Sequence, residues 1–168
     1  NDFGKTTSTL NWYRSEYSAG DGYPSAVALY EGRTWWAGKN KFNASVSDLY
    51  QSFDSTVEGD SKSLRRTIGF GPVDNVSWLC PAMRLISGTA GSEISIRSSG
   101  FSEPLTATNI NLKETSTQGS NAIDYVKIDR NVYFCHRSGT KVFELSQASE
   151  ATKKAERKGQ FQASLSSQ

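Results

Sequence analysis

"YEGRTWWAGKNKF", Tyr30 to Phe42, is the stretch on which the fold reading turns. Two adjacent tryptophans, Trp35 and Trp36, stand between the turn at Glu31-Gly32 and the turn in "GKNK". Successive side chains on a strand point to opposite faces. Trp35 and Arg33 therefore share one face, and Trp36 and Thr34 share the other. One indole enters a core, and the second must be covered by something else. A strand that carries large apolar groups on both faces belongs to a sheet packed on both sides.

The same pattern continues outward. "SAVALY" precedes the stretch and "FNASV" closes it. After "SDLYQSF" and an acidic loop, "DSTVEGDS", come "LRRTIGF", "VSWLC", "RLIS", "EISIR", "ATNINLKE", "AIDYVKID", "NVYFCHR" and "KVFEL". These runs are short and rich in β-branched and aromatic residues, the signature of strands. "SGTAGS" (Ser87–Ser92) and "RSGTK" (Arg137–Lys141) read as hairpin connections. Two segments read as helical. "SVSDLYQSF" predicts a short turn of helix. "SQASEATKKAERKGQ" (Ser146–Gln160) has acidic residues early, basic residues late and Gly159 as a stop. It has almost no apolar face, so it predicts a solvated helix or a frayed tail.

Three hairpins align: "RTWWAGKNKFNASV" from Arg33, "MRLISGTAGSEISI" from Met83 and "NVYFCHRSGTKVFEL" from Asn131. Their starts recur at roughly 50 residues, a period typical of four-stranded propeller blades. The expected fold is all-β, with propeller-like blades built from antiparallel hairpins. About three blade units fit this chain. The organisation expected is a polar lead-in over 1–22, a β domain over 23–145 and a charged helical or flexible segment over 146–168.

Composition sets limits on function. Hydrophobic residues make up 36% and the formal net charge is +2. That balance lacks the excess of a basic nucleic-acid-binding surface. No run of about 18 apolar residues occurs, so no membrane-spanning helix is predicted. The chain has no initiator Met and opens on "NDFGKTTST". It is expected to be a piece of a longer protein or a processed form. Cys80 and Cys135 fit no metal-binding spacing and are expected to be reduced thiols in apolar runs; sequence alone leaves open whether they pair. The sequons at Asn43 and Asn75 are short enough to arise by chance.

Candidate chemistry is thin. His136 is the single histidine, and one His with two scattered Cys does not make a zinc site. "GFGPVD" (Gly69–Asp74) starts like a dinucleotide loop but lacks the third glycine and precedes a strand. Asp54, Glu58 and Asp60 share one loop and read as solvated charge. Gly32-Arg33-Thr34-Trp35 reproduces the end of the sialidase-type turn S-x-D-x-G-x-T-W, with Ala28 and Tyr30 at its Ser and Asp positions. No catalytic residue, metal or cofactor is expected. The candidate core or subunit-contact positions are Trp35, Trp36, Trp78 and Phe134.

The order of motifs carries a family resemblance. "GYPSAVALYEGRTWWAG" is followed by "SVSDLYQSF", "TIGFGPVDNVSWLCPAMRLISGTAGSEISI" and "PLTATNINLKETSTQGSNAIDYVKIDRNVYFCHRSGTKVFEL". This succession, from Tyr23 to Leu145, resembles the tail nozzle (tail tubular B-type) proteins of short-tailed bacteriophages and related prophages. Matches run through Pro24, Glu31, Gly32, Arg33, Trp35, Gly38, Ser47, Asp48, Tyr50, Phe53, Val73, Asn75, Trp78, Leu79, Pro81, Gly88, Glu93, Thr108, Gly119, Val132, Phe134, Arg137, Gly139 and Leu145. Cys135 and His136 depart from the pattern. The family's members are several times longer, so this chain would be a middle portion. The resemblance implies a propeller-like architecture and a homo-oligomeric ring, typically of six copies, in the virion tail. It implies contacts with a tail adaptor protein and with a tail fibre or tailspike, and assembly in the host bacterial cytoplasm. DNA would pass through the lumen without sequence-specific contacts. No catalytic residues and no membrane insertion come with it. The alternative is a carbohydrate-binding or glycan-processing propeller module using exposed aromatics. A generic interaction propeller is disfavoured because the WD and G-H signatures are missing.

Overall fold

The computed structural model describes residues 17–69, 75–100 and 103–146. Within them, eleven strands form three antiparallel sheets. The first sheet runs in order β1 (Ala26–Tyr30), β2 (Arg33–Gly38), β3 (Lys41–Ala44) and β4 (Leu64–Thr67). The second runs β5 (Val76–Pro81), β6 (Leu85–Thr89), β7 (Glu93–Ser98) and β8 (Ile110–Ser116). The third has β10 (Asn131–Cys135) between β9 (Val126–Ile128) and β11 (Val142–Leu145). Each sheet is an up-and-down meander that begins on an edge strand. The three aligned hairpins occupy the second and third strands of each sheet, so the chain is all-β with a repeated meander.

Tight turns set the registers. Glu31 and Gly32 both take positive φ, 46° and 67°, between β1 and β2. A two-residue turn of that hand matches the twist of the flanking strands. It pairs Tyr30 with Arg33 and Ala28 with Trp35. That register places Ala26, Ala28, Tyr30, Trp35, Ala37, Phe42, Ala44 and Leu64 on one face, packed on the second sheet.

The second sheet is apolar on both faces. Val76, Leu79, Leu85, Ile94 and Ile96 meet the first sheet in one core. Trp78, Cys80 and Ile86 meet Val132 and Phe134 of the third sheet in another, with Tyr125, Phe143 and Leu145 at its margin. A register shift between Val76 and Trp78 lets β5 serve both cores. Gly88 reads as turn punctuation in the sequence, but it lies within β6, opposite Trp78. A Cβ there would fall 2.1 Å from Trp78 Cε2, so the missing side chain is the space that the indole fills.

Two helical expectations end differently. Ser45–Phe53 forms no helix; it is a compact turn with a Val46–Leu49 bridge. Asp48 takes φ 59°, a left-handed value that breaks a helix, and its N–H donates to the Gly32 carbonyl at 2.8 Å. Of the apolar residues expected on that helix, Leu49 and Tyr50 are exposed and Phe53 packs edge-on against Trp36. The segment Ser146–Gln160 lies, beyond Ser146, outside the described residues.

The two tryptophans separate as alternation requires. Trp35 is fully buried and donates Nε1–H to the Tyr30 carbonyl at 3.1 Å. Trp36 is 39% exposed on the opposite face. Trp35→Ala should therefore cost about 3–5 kcal/mol of stability, whereas Trp36→Ala should cost about 1 kcal/mol. Urea denaturation followed by circular dichroism checks the difference; equal losses would contradict the two-faced reading.

Candidate assembly interface

The candidate positions sort by face. Trp35 lies between the first and second sheets, and Trp78 and Phe134 between the second and third. The last two are brought together, with ring centroids 5.8 Å apart, and Tyr125 adds a third ring 5.4 Å from Trp78. Trp36 meets neither group. Its ring has Phe53 edge-on at 5.8 Å and Tyr17 at 6.3 Å, and the Tyr17 hydroxyl donates to its carbonyl at 3.2 Å. Of the four positions, only Trp36 reaches the surface.

Among the described residues, two sheet faces have no neighbouring sheet. Val27, Leu29 and Trp36 lie on the outer face of the first sheet, with Lys41, Asn43 and Arg65 beside them by register. Val27 and Leu29 are 65% and 63% exposed. Asn43 is buried and its Nδ2 has no partner; a glycan on this sequon would need the sheet to open. On the third sheet, Val126, Ile128, Tyr133, Cys135 and Val142 share the outer face with Glu144. Val126, Ile128 and Val142 are exposed.

Buried polar groups fix the loops around these faces. The Arg33 guanidinium is buried and donates to four backbone carbonyls, Ser45 at 2.6 Å, Lys62 and Asp60 at 2.8 Å, and Ser61 at 3.3 Å. This binds the acidic loop to the first sheet. Burial lowers its pKa from the ordinary arginine value, and Asp48 and Glu31 partly offset that. Asp54 accepts from the Thr56 N–H and hydroxyl, which hold its carboxyl below the usual range. Asp54 is thus bonded locally, while Glu58 and Asp60 are exposed, and among the described residues no group of three or more His, Cys, Asp or Glu is placed to hold a metal ion.

Glu93 matches the family pattern, but nothing in "EISIR" signals that its carboxyl is buried. It is fully buried between the β6–β7 turn and the link to the third sheet. Ser120 Oγ donates to its Oε1 at 2.8 Å, and Oε2 has no partner. Ser120 N–H also donates to the Thr89 carbonyl at 2.7 Å. Gly119, with φ 79°, leaves no room for a Cβ, which would lie 2.2 Å from the Ala90 carbonyl oxygen. Burial raises the Glu93 pKa, opposed by bonds from Ser120, Ser116 and the Gly119 backbone.

The remaining groups are locally engaged. His136 Nδ1 lies 2.8 Å from Ser138 Oγ and accepts from the Ser138 N–H at 3.2 Å, closing the β10–β11 turn. Its ring stands edge-on to Phe143 at 5.4 Å. Cys80 and Cys135 are free thiols. Cys80 is buried beneath the third sheet while Cys135 lies on that sheet's outer face, so β10 separates them. Burial pushes the Cys80 thiol up to about 11 and Tyr125, beside it, to about 12. A cavity of about 370 Å³ opens where the first strands converge, lined by Ser25, Val27, Ser77, Trp78, Asp124 and Tyr125 among others.

No protein-family model matches this chain, and a search of curated proteins finds none significantly similar.

Two outcomes follow from these environments. A carboxyl raised in the folded state stabilises at low pH and loses that contribution as pH climbs from the ordinary carboxylate range through its folded value. Glu93→Gln should therefore raise the urea midpoint more at about pH 8 than at about pH 4; a pH-independent difference would refute a raised Glu93. In native protein, iodoacetamide should modify Cys135 and spare Cys80 until urea unfolds the chain, read by peptide mass.

Proposed function

We propose that this chain is a structural component of a bacteriophage virion, part of the tail nozzle that extends the DNA-ejection channel and docks fibres or spikes. The single observation that carries this reading is the stack of repeated meanders whose two end faces are apolar. Such a stack is built to be continued by more protein, as a blade array is. The ordered motifs support the same reading. Gly32-Arg33-Thr34-Trp35 leads into the second strand of the first sheet, Trp78-Leu79 lies in the first strand of the second, and Val132 to Cys135 lie in the central strand of the third. In this reading the sheets are propeller blades, the intact protein forms a ring of six copies bound to the tail adaptor, and its lumen passes DNA. A net charge of +2 suits a conduit, since dense Lys and Arg would retain DNA in a salt-dependent manner.

Antibody against this chain should label the distal tail of particles from cells that carry its gene, in immuno-gold electron microscopy. Particles that lack the chain altogether would overturn the reading. A carbohydrate-binding propeller module is the second reading, favoured by the exposure of Trp36 beside Tyr17 and Phe53. Loss of glycan-array binding in folded Trp36→Ala protein would favour it.

A further inference from the structure

The cavity of about 370 Å³ lies where β1, β5 and the link before β9 meet. Its volume is that of a small-molecule site. Three separate segments line it. The start of the first sheet contributes Ser25 and Val27, the first strand of the second contributes Ser77 and Trp78, and the link to the third contributes Asp124 and Tyr125. Local structure holds these groups in place. Ser25 Oγ donates to the Val76 carbonyl, which ties the entry to β1 against β5. The register shift between Val76 and Trp78 leaves Ser77 without an opposite residue on β6, and such a bulge re-aims the side chain it releases. Asp124 Oδ1 accepts from the Tyr125 N–H at 2.9 Å. The Tyr125 ring rests in turn on Trp78, with centroids 5.4 Å apart. Among the described strands, β1 and β5 each pair on one side only, so each also presents backbone N–H and C=O groups along its other edge.

The chemistry of this lining selects its ligand. Among the described residues that line the cavity, none is Lys, Arg or His, which disfavours an anion. A single carboxylate does not make a metal site. Hydroxyls, a carboxylate and strand-edge backbone suit a ligand with several O–H groups, and the Tyr125 ring and Val27 side chain suit its C–H faces. We propose that this cavity binds a neutral sugar, one monosaccharide unit in size, with Asp124 and Ser77 hydrogen-bonded to its hydroxyls and Tyr125 against its ring. The Asp124 carboxylate accepts from the sugar hydroxyls, and charge-assisted bonds of this kind are stronger than neutral ones. Because Ser25, Asp124 and Tyr125 are already held by neighbouring groups, little ordering accompanies binding.

The inference goes beyond the tail reading and does not rest on it, and it uses no part of the Trp36 face. Saturation-transfer-difference NMR of the 168-residue chain with glucose, galactose, mannose and N-acetylglucosamine tests it. At least one of these sugars should receive saturation, with a Kd of roughly 1 mM. Asp124→Asn should weaken that binding on the order of tenfold, and Ser77→Ala about threefold. Neither side chain belongs to a core, so circular dichroism should be unchanged in both variants. Trp36→Ala should bind as the wild type does. Saturation of none of these sugars, or full binding by Asp124→Asn, would overturn the inference and leave the tail reading standing. Loss of binding in Trp36→Ala alone would move the sugar to the other face and overturn it as well. So would tighter binding of putrescine than of any sugar, which would mark Asp124 as an amine site.

Discussion

The middle sheet is covered on both sides, and the rest of the structure depends on that. Leu85 and Ile86 are neighbours in β6 and both are buried, one in each core. A sheet in water on one side could not tolerate that sequence, since alternation would put one apolar row in solvent. The middle sheet therefore requires a sheet on each side. The first and third sheets meet that requirement with one face each. Among the described residues, no sheet covers their other faces.

Holding flat faces together also requires that the links between sheets run in fixed places. Polar side chains do this with backbone partners. Glu31 Oε2 accepts from the Leu105 N–H at 2.9 Å, and Arg66 donates to the Ala107 carbonyl at 2.6 Å, joining the first sheet to the segment before β8. Lys127 donates to the Pro81 carbonyl at 3.0 Å, joining the third sheet to the second. Ser120 bonds Thr89 and Glu93 together, and only a glycine at 119 lets the chain approach that closely. Such charge-assisted bonds to backbone groups are stronger than neutral ones. Arg33 does the same for the acidic loop. That loop is thereby tied to the first sheet, and its three carboxylates are exposed as their sequence suggests.

Much of the fold was legible in the sequence. The hairpins from Arg33, Met83 and Asn131 occupy equivalent strands because their turn residues and alternation are local properties. The roles of particular residues were less legible. Gly88 looks like a turn glycine in "SGTAG", but its reason is the indole of Trp78, supplied by another strand. Asp48 and Leu49 carry a helix-like pattern, but a hydrogen bond to Gly32 holds the chain in a left-handed turn. Glu93 opens an ordinary strand, and only the arrival of Ser120 buries it. In each case the deciding partner is distant in sequence, so no local pattern records it.

By itself, the sequence determined the strands and most of their turns, because alternation and glycine-rich turns act within a few residues. Only the tertiary structure decided which face of which sheet is covered. Trp35 and Trp36 are chemically identical neighbours, yet one is sealed against the second sheet and the other reaches water. That difference arises from the stacking of distant strands.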